Sequence, residues 1–249
     1  MLGFLGRTWK PEIPEGCRVY AIGDVHGRLD LFEQILDRIR QDDAMRPPAD
    51  TQIIQLGDLI DRGPDSAGVV ALAMRPPGFA SLTTLQGNHE AMMLEALAGD
   101  LDVLKGWLRF GGRETLMSWG VGVLDQGSPG AIVDAALAAI PAAQLEWLAS
   151  RPRALHVGDY YFVHAGIRPR RPLGQQTDED RLWIREPFLS STARHFAMIV
   201  HGHSISLEVE RQPNRIGIDT GAYATGRLTA LGLDGMHQWI IQTSGPEGA

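Results

Sequence analysis

The chain alternates between short apolar runs and small polar clusters. Runs readable as buried strands stand at RVYAIGDVHG (18–27), QIIQLGDLIDRG (52–63), LTTLQGNHE (82–90), YYFVHAG (160–166) and AMIVHGH (197–203). Each ends in Asp, Asn, His and Gly. Between the first two, LDLFEQILDRIR places Leu29, Phe32, Leu36 and Ile39 at helical spacing. Further helices are expected over 65–74, after Glu90, and over 131–149, where Pro141 suits the first turn of a second helix. The remainder is strand-like: RIGIDTG leads to RLTALGL, a turn at Asp234-Gly235, and MHQWIIQ, which reads as a hairpin. Arg46-Pro47-Pro48 and Arg75-Pro76-Pro77 punctuate loops, and the polar stretch 168–180 reads as the longest loop. The order is alternating β and α, then mostly β. It predicts an α/β (α+β) protein in which two sheets pack together with helices outside, forming a single domain over residues 1–249.

Composition narrows this little. The 249 residues are 44% hydrophobic and 21% charged, as in ordinary globular chains. The formal net charge of -7, without a dense basic run, argues against a nucleic-acid partner. The lone Cys17 forms no internal disulfide, which fits a cytoplasmic setting. The apolar N-terminal stretch is interrupted by Arg7 and Lys10 and is too short for a signal-peptide core. No apolar run reaches the length of a membrane span. Nothing indicates an obligate partner.

The five polar clusters change the picture more. A single Gly-Asp is ordinarily a turn, and a single strand-end His is ordinarily a hydrogen-bonded structural residue. Five strand ends in succession, all rich in metal-ligand side chains, are hard to explain as turns, because strand ends are where an α/β sheet presents functional groups. The donors are imidazole and oxygen, with no thiolate. Such a set suits manganese, iron, zinc or cobalt better than calcium.

Gly23-Asp24-Val25-His26-Gly27, Gly57-Asp58-Leu59-Ile60-Asp61-Arg62-Gly63, Gly87-Asn88-His89-Glu90, His164-Ala165-Gly166 and Gly202-His203 together resemble the calcineurin-like metallophosphoesterases. The nearer resemblance is to their phosphoprotein phosphatase branch, in its bacterial and phage form. The resemblance implies an αββα sandwich of two mixed sheets. It also implies a binuclear centre, with Asp24, His26 and Asp58 on one ion and Asp58, Asn88, His164 and His203 on the other. Two divalent ions about 3.5–4 Å apart can share a hydroxide and clamp an in-line displacement. Manganese is the expected metal in vitro, with iron or zinc as alternatives. Two divalent ions, two carboxylates and one hydroxide leave a positive site that attracts a phosphate dianion. The wider superfamily often reads Gly-His-x-His at the last motif. Here Gly202-His203-Ser204-Ile205 lacks the second His, as does the phosphoprotein phosphatase branch. His201 is expected to be structural.

The same resemblance assigns His89 as general acid and Asp61 as the carboxylate that orients it, against the plainer reading of Asp61 as a turn residue paired with Arg62. Arg62 and Arg185, the latter in Leu182-Trp183-Ile184-Arg185-Glu186, are the expected phosphate clamps, with Asn88 beside them. For Arg185, an ion pair with Glu186 is the alternative. Trp107, Arg109 and Arg113, around Phe110-Gly111-Gly112, read as a helix junction or as a substrate rim. Arg168, Arg170 and Arg171 read as a solvated loop or as an attractor for acidic substrates. Thr220-Gly221-Ala222-Tyr223 does not clearly reproduce the Tyr-containing loop of the eukaryotic enzymes, so no substrate role is expected of Tyr223, and His156, His195 and His237 have no motif context.

The expected activity is phosphomonoester hydrolysis on a phosphorylated protein or peptide. The alternative is symmetrical dinucleoside tetraphosphate hydrolysis by a sister group that typically carries Ala where this chain has Asp61; a non-catalytic scaffold is the remote third. Other phosphatase chemistries are excluded. Position 23, six after Cys17, is Gly rather than Arg; no GxxxxGK[ST] loop exists; and the HExxH pattern begun by His89-Glu90 fails at Met93.

Overall fold

The computed structural model describes residues 9–122 and 128–244. The apolar N-terminal stretch 1–8 lies outside the described residues. The strands are β1 (Cys17–Ile22), β2 (Asp50–Gln55), β3 (Ser81–Thr84), β4 (Ala154–Val157), β5 (Tyr160–Val163), β6 (Met198–His201), β7 (Glu210–Gln212), β8 (Arg215–Gly217), β9 (Thr229–Asp234) and β10 (His237–Gln242). The helices are α1 (Leu29–Ala44), α2 (Ser66–Ala73), α3 (Asn88–Leu97), α4 (Leu101–Trp107), α5 (Arg113–Ser118), α6 (Pro129–Ala139), α7 (Ala142–Ala149), α8 (Asp178–Trp183) and α9 (Ala222–Thr225). A kinked turn, Leu108–Gly112, joins α4 to α5, and its Gly111 leaves helical backbone with a φ of 113°.

The strands form two five-stranded mixed sheets, ordered β10-β9-β1-β2-β3 and β4-β5-β6-β8-β7. Each contains a parallel ribbon of three, β1-β2-β3 in one and β5-β6-β8 in the other, flanked by antiparallel strands. The side-chain period of two divides each strand between two cores. Val19 and Ala21 of β1, Ile54 of β2, and Leu231 and Leu233 of β9 meet Tyr160, Phe162, Val200 and Ile216 between the sheets. Tyr20, Ile22 and Ile53, on the opposite face, pack under the helices. The far face of the second sheet is covered by Ile184 and Phe188. With both faces of β1 covered, its run of buried residues has no polar alternation. The expected sandwich of two mixed sheets with flanking helices is the observed fold.

Several boundaries differ from expectation. On α1 the buried stripe is Leu31, Phe32, Ile35 and Ile39, with Leu29 and Leu36 packed at its edge. Asp65 is the N-cap of α2 rather than its first residue, and its side chain accepts from the Gly68 N–H at 2.7 Å. Pro141 is the N-cap of α7, one position before the first turn, and α6 and α7 bend by 100° there. The expected loop 168–180 contains a 3-10 turn, Leu173–Gln175, and the start of α8, whose capping box is made by Thr177 and Asp180. RIGIDTG and RLTALGL are strands of different sheets, with α9 between them. The hairpin turn is Gly235-Met236, one residue later than expected, because Asp234 pairs with His237 and Gly235 supplies the positive φ of 53°. Among the described residues no single helix is long and apolar enough to cross a membrane.

Candidate active site

The C-terminal ends of the two parallel ribbons meet, and every cluster singled out in the sequence lies there. Asp24 and His26 follow β1, Asp58 to Arg62 follow β2, and Asn88 and His89 follow β3. His164 follows β5, and His203 follows β6. A sixth segment, after β8, brings Asp219 to the same cavity. Its pattern, a short apolar run opening into Asp-Thr-Gly, is the one seen at the other strand ends.

The loops are tight. His26, Asp58, Asp61, Arg62 and His203 all have φ between 48° and 73°, and only two other described non-glycine residues share that region. Such backbone is sparsely populated for L residues and persists where surrounding contacts impose it. The contacts are visible. The N–H groups of Val25 and His26 donate to the Asp58 carbonyl at 3.1 and 2.9 Å. Glu90 Oε2 accepts from the N–H groups of Gly87 and Asp58 at 2.8 and 2.9 Å, and its Oε1 accepts from those of Leu59 and Ile60 at 2.7 and 3.3 Å. This one buried carboxylate locks two motif loops together. Gly87 has no room for a side chain, because a Cβ there would stand 2.1 Å from Asp58 Oδ1.

Asp58 is the hub. Its Oδ2 lies 3.6 Å from His26 Nε2, 3.4 Å from His164 Nε2 and 3.9 Å from His89 Nε2. Two groups of possible metal ligands share it: His26, Asp58 and His89, and Asp58, His164 and His203. Asn88 Oδ1 joins the second, 2.8 Å from both His164 Nε2 and His203 Nδ1. Asp24 belongs to neither group. Its carboxylate faces the His203 N–H at 3.0 Å and lies against Asp219.

The donors suit cations. His26 Nδ1 stands 2.8 Å from the Ile60 carbonyl and His164 Nδ1 3.0 Å from the Leu56 carbonyl, which fixes both tautomers and leaves each Nε2 as a lone-pair donor. Burial pushes His26 and His203 down to about 3 and lowers His164, so all three imidazoles are neutral. Burial, then Asp219 and Asp58, pushes Asp24 well above the usual carboxylate range, and burial lifts Asp219 to about 6. Neutral imidazoles around crowded, buried carboxylates are what a divalent-metal site requires.

His89 faces both ways. Its Nδ1 is 2.5 Å from Asp61 Oδ2, and its Nε2 looks into the cavity, 3.3 Å from Arg62 Nη2. Asp61 is fully buried and also accepts from Trp107 Nε1 at 2.9 Å and Thr115 Oγ1 at 2.6 Å. Those donors oppose the burial that pushes its carboxyl upward. Burial likewise works against charge on His89, but Asp58 and Asp61 outweigh it and hold the imidazole above the usual histidine range. Asp61 therefore pairs with His89, not with Arg62. Trp107 sits at the helix junction, as one reading had it, and is also hydrogen-bonded to the site; nothing in its local sequence signals that contact.

The cavity, about 370 Å³, is lined by Arg62 and Arg185 as well as by the candidate ligands. Phe110, Trp183 and Ile205 form an exposed apolar rim. Glu186 engages Ser190, while Arg185 turns toward the His203 carbonyl. Arg168 and Arg171 are both paired with Asp180, so they do not reach the cavity as free cations. His201 is buried against Phe188, its ring 5.1 Å away, and burial pushes it down to about 4. Tyr223 packs on the site: its ring is 5.5 Å from that of His26 and 4.5 Å from the Arg62 guanidinium.

These features define a metallophosphoesterase. The chain belongs to the calcineurin-like phosphoesterase family, whose model matches residues 17–228. It is accordingly a hydrolase with a metal-binding site. Among curated relatives, Serine/threonine-protein phosphatase 1 of Salmonella typhimurium is 38% identical over 94 residues, covering 38% of each chain. A symmetrical bis(5'-nucleosyl)-tetraphosphatase of Dechloromonas aromatica is 32% identical over 151 residues, covering 61% of this chain and 44% of the relative. The matches thus span less than half the length of these relatives. A solved structure with the provisional name diadenosine tetraphosphatase aligns over 96% of this chain and 100% of its own, with a TM-score of 0.66 and 23% identity. A cold-active protein tyrosine phosphatase aligns over 94% of this chain and 83% of its own, with a TM-score of 0.58 and 16% identity.

Proposed function

We propose that this protein is a phosphomonoesterase acting on phosphorylated protein side chains, with serine and threonine phosphates as its main substrates. The observation that carries the reading is the buried Asp61–His89 pair, 2.5 Å between Oδ2 and Nδ1. An alkoxide leaving from serine is strongly basic and needs a proton. A nucleoside diphosphate leaving from a dinucleoside tetraphosphate needs one far less. Asp61 holds the Nδ1 proton, so that His89 presents Nε2–H to the leaving oxygen. Arg62 and Arg185, on the cavity wall, hold the terminal oxygens that a monoester dianion offers, and Asn88 lines the same cavity beside His164 and His203.

Asp24, His26 and Asp58 would hold one ion, and Asp58, Asn88, His164 and His203 the other, with manganese the expected occupant and iron or zinc as alternatives. Bound there, two divalent ions supply Lewis-acid charge and an activated water.

The second reading is symmetrical dinucleoside tetraphosphate hydrolysis, favoured by the longer match to the Dechloromonas aromatica relative. Specificity constants for phosphoserine, phosphothreonine and phosphotyrosine peptides against dinucleoside tetraphosphate separate the two. Phosphopeptides are expected to lead. A tenfold advantage for the dinucleotide overturns the proposal.

A further inference from the structure

A second cavity, about 620 Å³, opens beside the catalytic one and shares Arg62 and Phe110 with it. Arg62 and Arg109 line it, with Arg113, Glu114 and Tyr223 also on its wall. Arg109 is exposed and has no ion-pair partner among the described residues. Phe110 is 59% exposed and stands between the two cavities, and Tyr223 forms another wall.

The geometry is rigid. Arg109 and Phe110 lie on the kinked turn between α4 and α5, where Gly111 has a φ of 113°. A Cβ at Gly111 would stand 2.4 Å from the Arg62 backbone nitrogen, so the turn is seated directly on the Arg62 loop. Just before the turn Trp107 donates to Asp61, and just after it Thr115 does the same. The two residues that bracket the turn are thus bonded to the carboxylate that orients His89. The backbone that carries Arg109 is therefore tied to the loop of the catalytic pair.

We propose that this second cavity is an anion subsite that receives an acidic group flanking the phosphorylated residue of a peptide substrate. The group is a carboxylate or a second phosphate, and the assignment rests on the phosphoprotein reading above. Arg62 lies between the scissile phosphate and the flanking anion, and Phe110 lies alongside the peptide that joins them. Arg109 acts as a specificity residue and touches no reacting atom.

The test uses three phosphoserine peptides that differ only at the neighbouring position, which is Ala, Glu or a second phosphoserine. The wild-type protein, loaded with manganese, is expected to prefer Glu over Ala on the order of fivefold in kcat/KM, carried by KM, the scale of an exposed ion pair. The ratio falls toward one in Arg109→Ala and below one in Arg109→Glu. Arg40→Ala, an exposed arginine on α1 paired with Asp37, keeps the wild-type ratio. A larger ratio for the second phosphoserine supports the subsite and identifies phosphate as its ligand. A ratio unchanged in Arg109→Ala overturns it. The same peptides, measured as competitors of p-nitrophenyl phosphate hydrolysis, separate the two proposals. Peptides that compete with the expected ratio but are not turned over leave the subsite standing and remove the phosphoprotein function. Peptides that are turned over with no ratio do the reverse.

Discussion

The indole Nε1–H of Trp107 donates to both carboxylate oxygens of Asp61, at 2.9 and 3.1 Å, inside the protein. A residue on a helix junction thereby sets the position of the carboxylate that holds His89. Trp107→Phe keeps an apolar aromatic side chain, removes the donor and gives up part of the buried indole volume. It is expected to lower phosphopeptide turnover roughly tenfold, the scale of one hydrogen bond to a charged group, with a smaller effect on p-nitrophenyl phosphate. Steady-state kinetics on both substrates checks this; equal losses would assign Trp107 to packing alone.

His89→Asn is expected to harm phosphopeptide hydrolysis by a share of the roughly 10²–10⁴-fold typical of general acid catalysis. Nitrophenolate is a good leaving group, so p-nitrophenyl phosphate suffers less. Asp61→Asn follows the same pattern more mildly. If the substrates lose activity in parallel, His89 is holding the site together rather than delivering a proton.

Asp58 is common to both ligand groups. Asp58→Asn is expected to weaken both sites together, and elemental analysis after manganese loading should show a joint fall from about two equivalents. Chelation should abolish wild-type activity. Loss of one equivalent with the other retained would show that Asp58 does not bridge.

Glu90 accepts four backbone N–H groups. Glu90→Gln turns an amide N–H₂ toward some of those donors and leaves them unsatisfied. The expected cost is about 1–3 kcal/mol, or a Tm lower by about 2–4 °C for each kcal/mol in a chain of this size. Thermal melts of the metal-free variant and wild type read it without reference to activity. An unchanged Tm would show that the two loops hold without this tie.

Asp180 carries a pH dependence away from the metal site. Burial opposes its charge, but hydrogen bonds from Thr177 and the charge of Arg168 outweigh that and hold its carboxyl below the usual range. A folded-state pKa below the unfolded one stabilises above the unfolded value, about 3.9, and the contribution is lost as pH falls through the folded value. Asp180→Asn should therefore cost about 1–2 kcal/mol at pH 7, and its melting curve should draw closer to that of wild type as pH falls below the unfolded value of about 3.9. A difference that stays constant through that acidification would mean that the charge of Asp180 contributes nothing.

Much of this protein was legible in its sequence, because the information was local. An apolar run of strand length that empties into Asp, His and Gly identifies itself within ten residues, as at Asp24, Asp58 and His164. Their recurrence in a family order was enough to indicate the two sheets and the candidate ligands. What the tertiary structure alone decided rests on contacts between residues far apart in the chain. Trp107 and Thr115 reach Asp61 from 46 and 54 positions away. Asp219 comes to Asp24 only because β8 joins the second ribbon. RIGIDTG and RLTALGL read alike as strands, yet they belong to different sheets. Side-chain period shows which face of a strand is apolar, but strand partners are settled by packing across the sandwich. For Arg168 and Arg171 the sequence leaves a solvated loop and a substrate attractor equally open, and the fold decides by placing the buried Asp180 against them. A charge's role depends on its neighbours in space, and for these residues those neighbours are set by the fold.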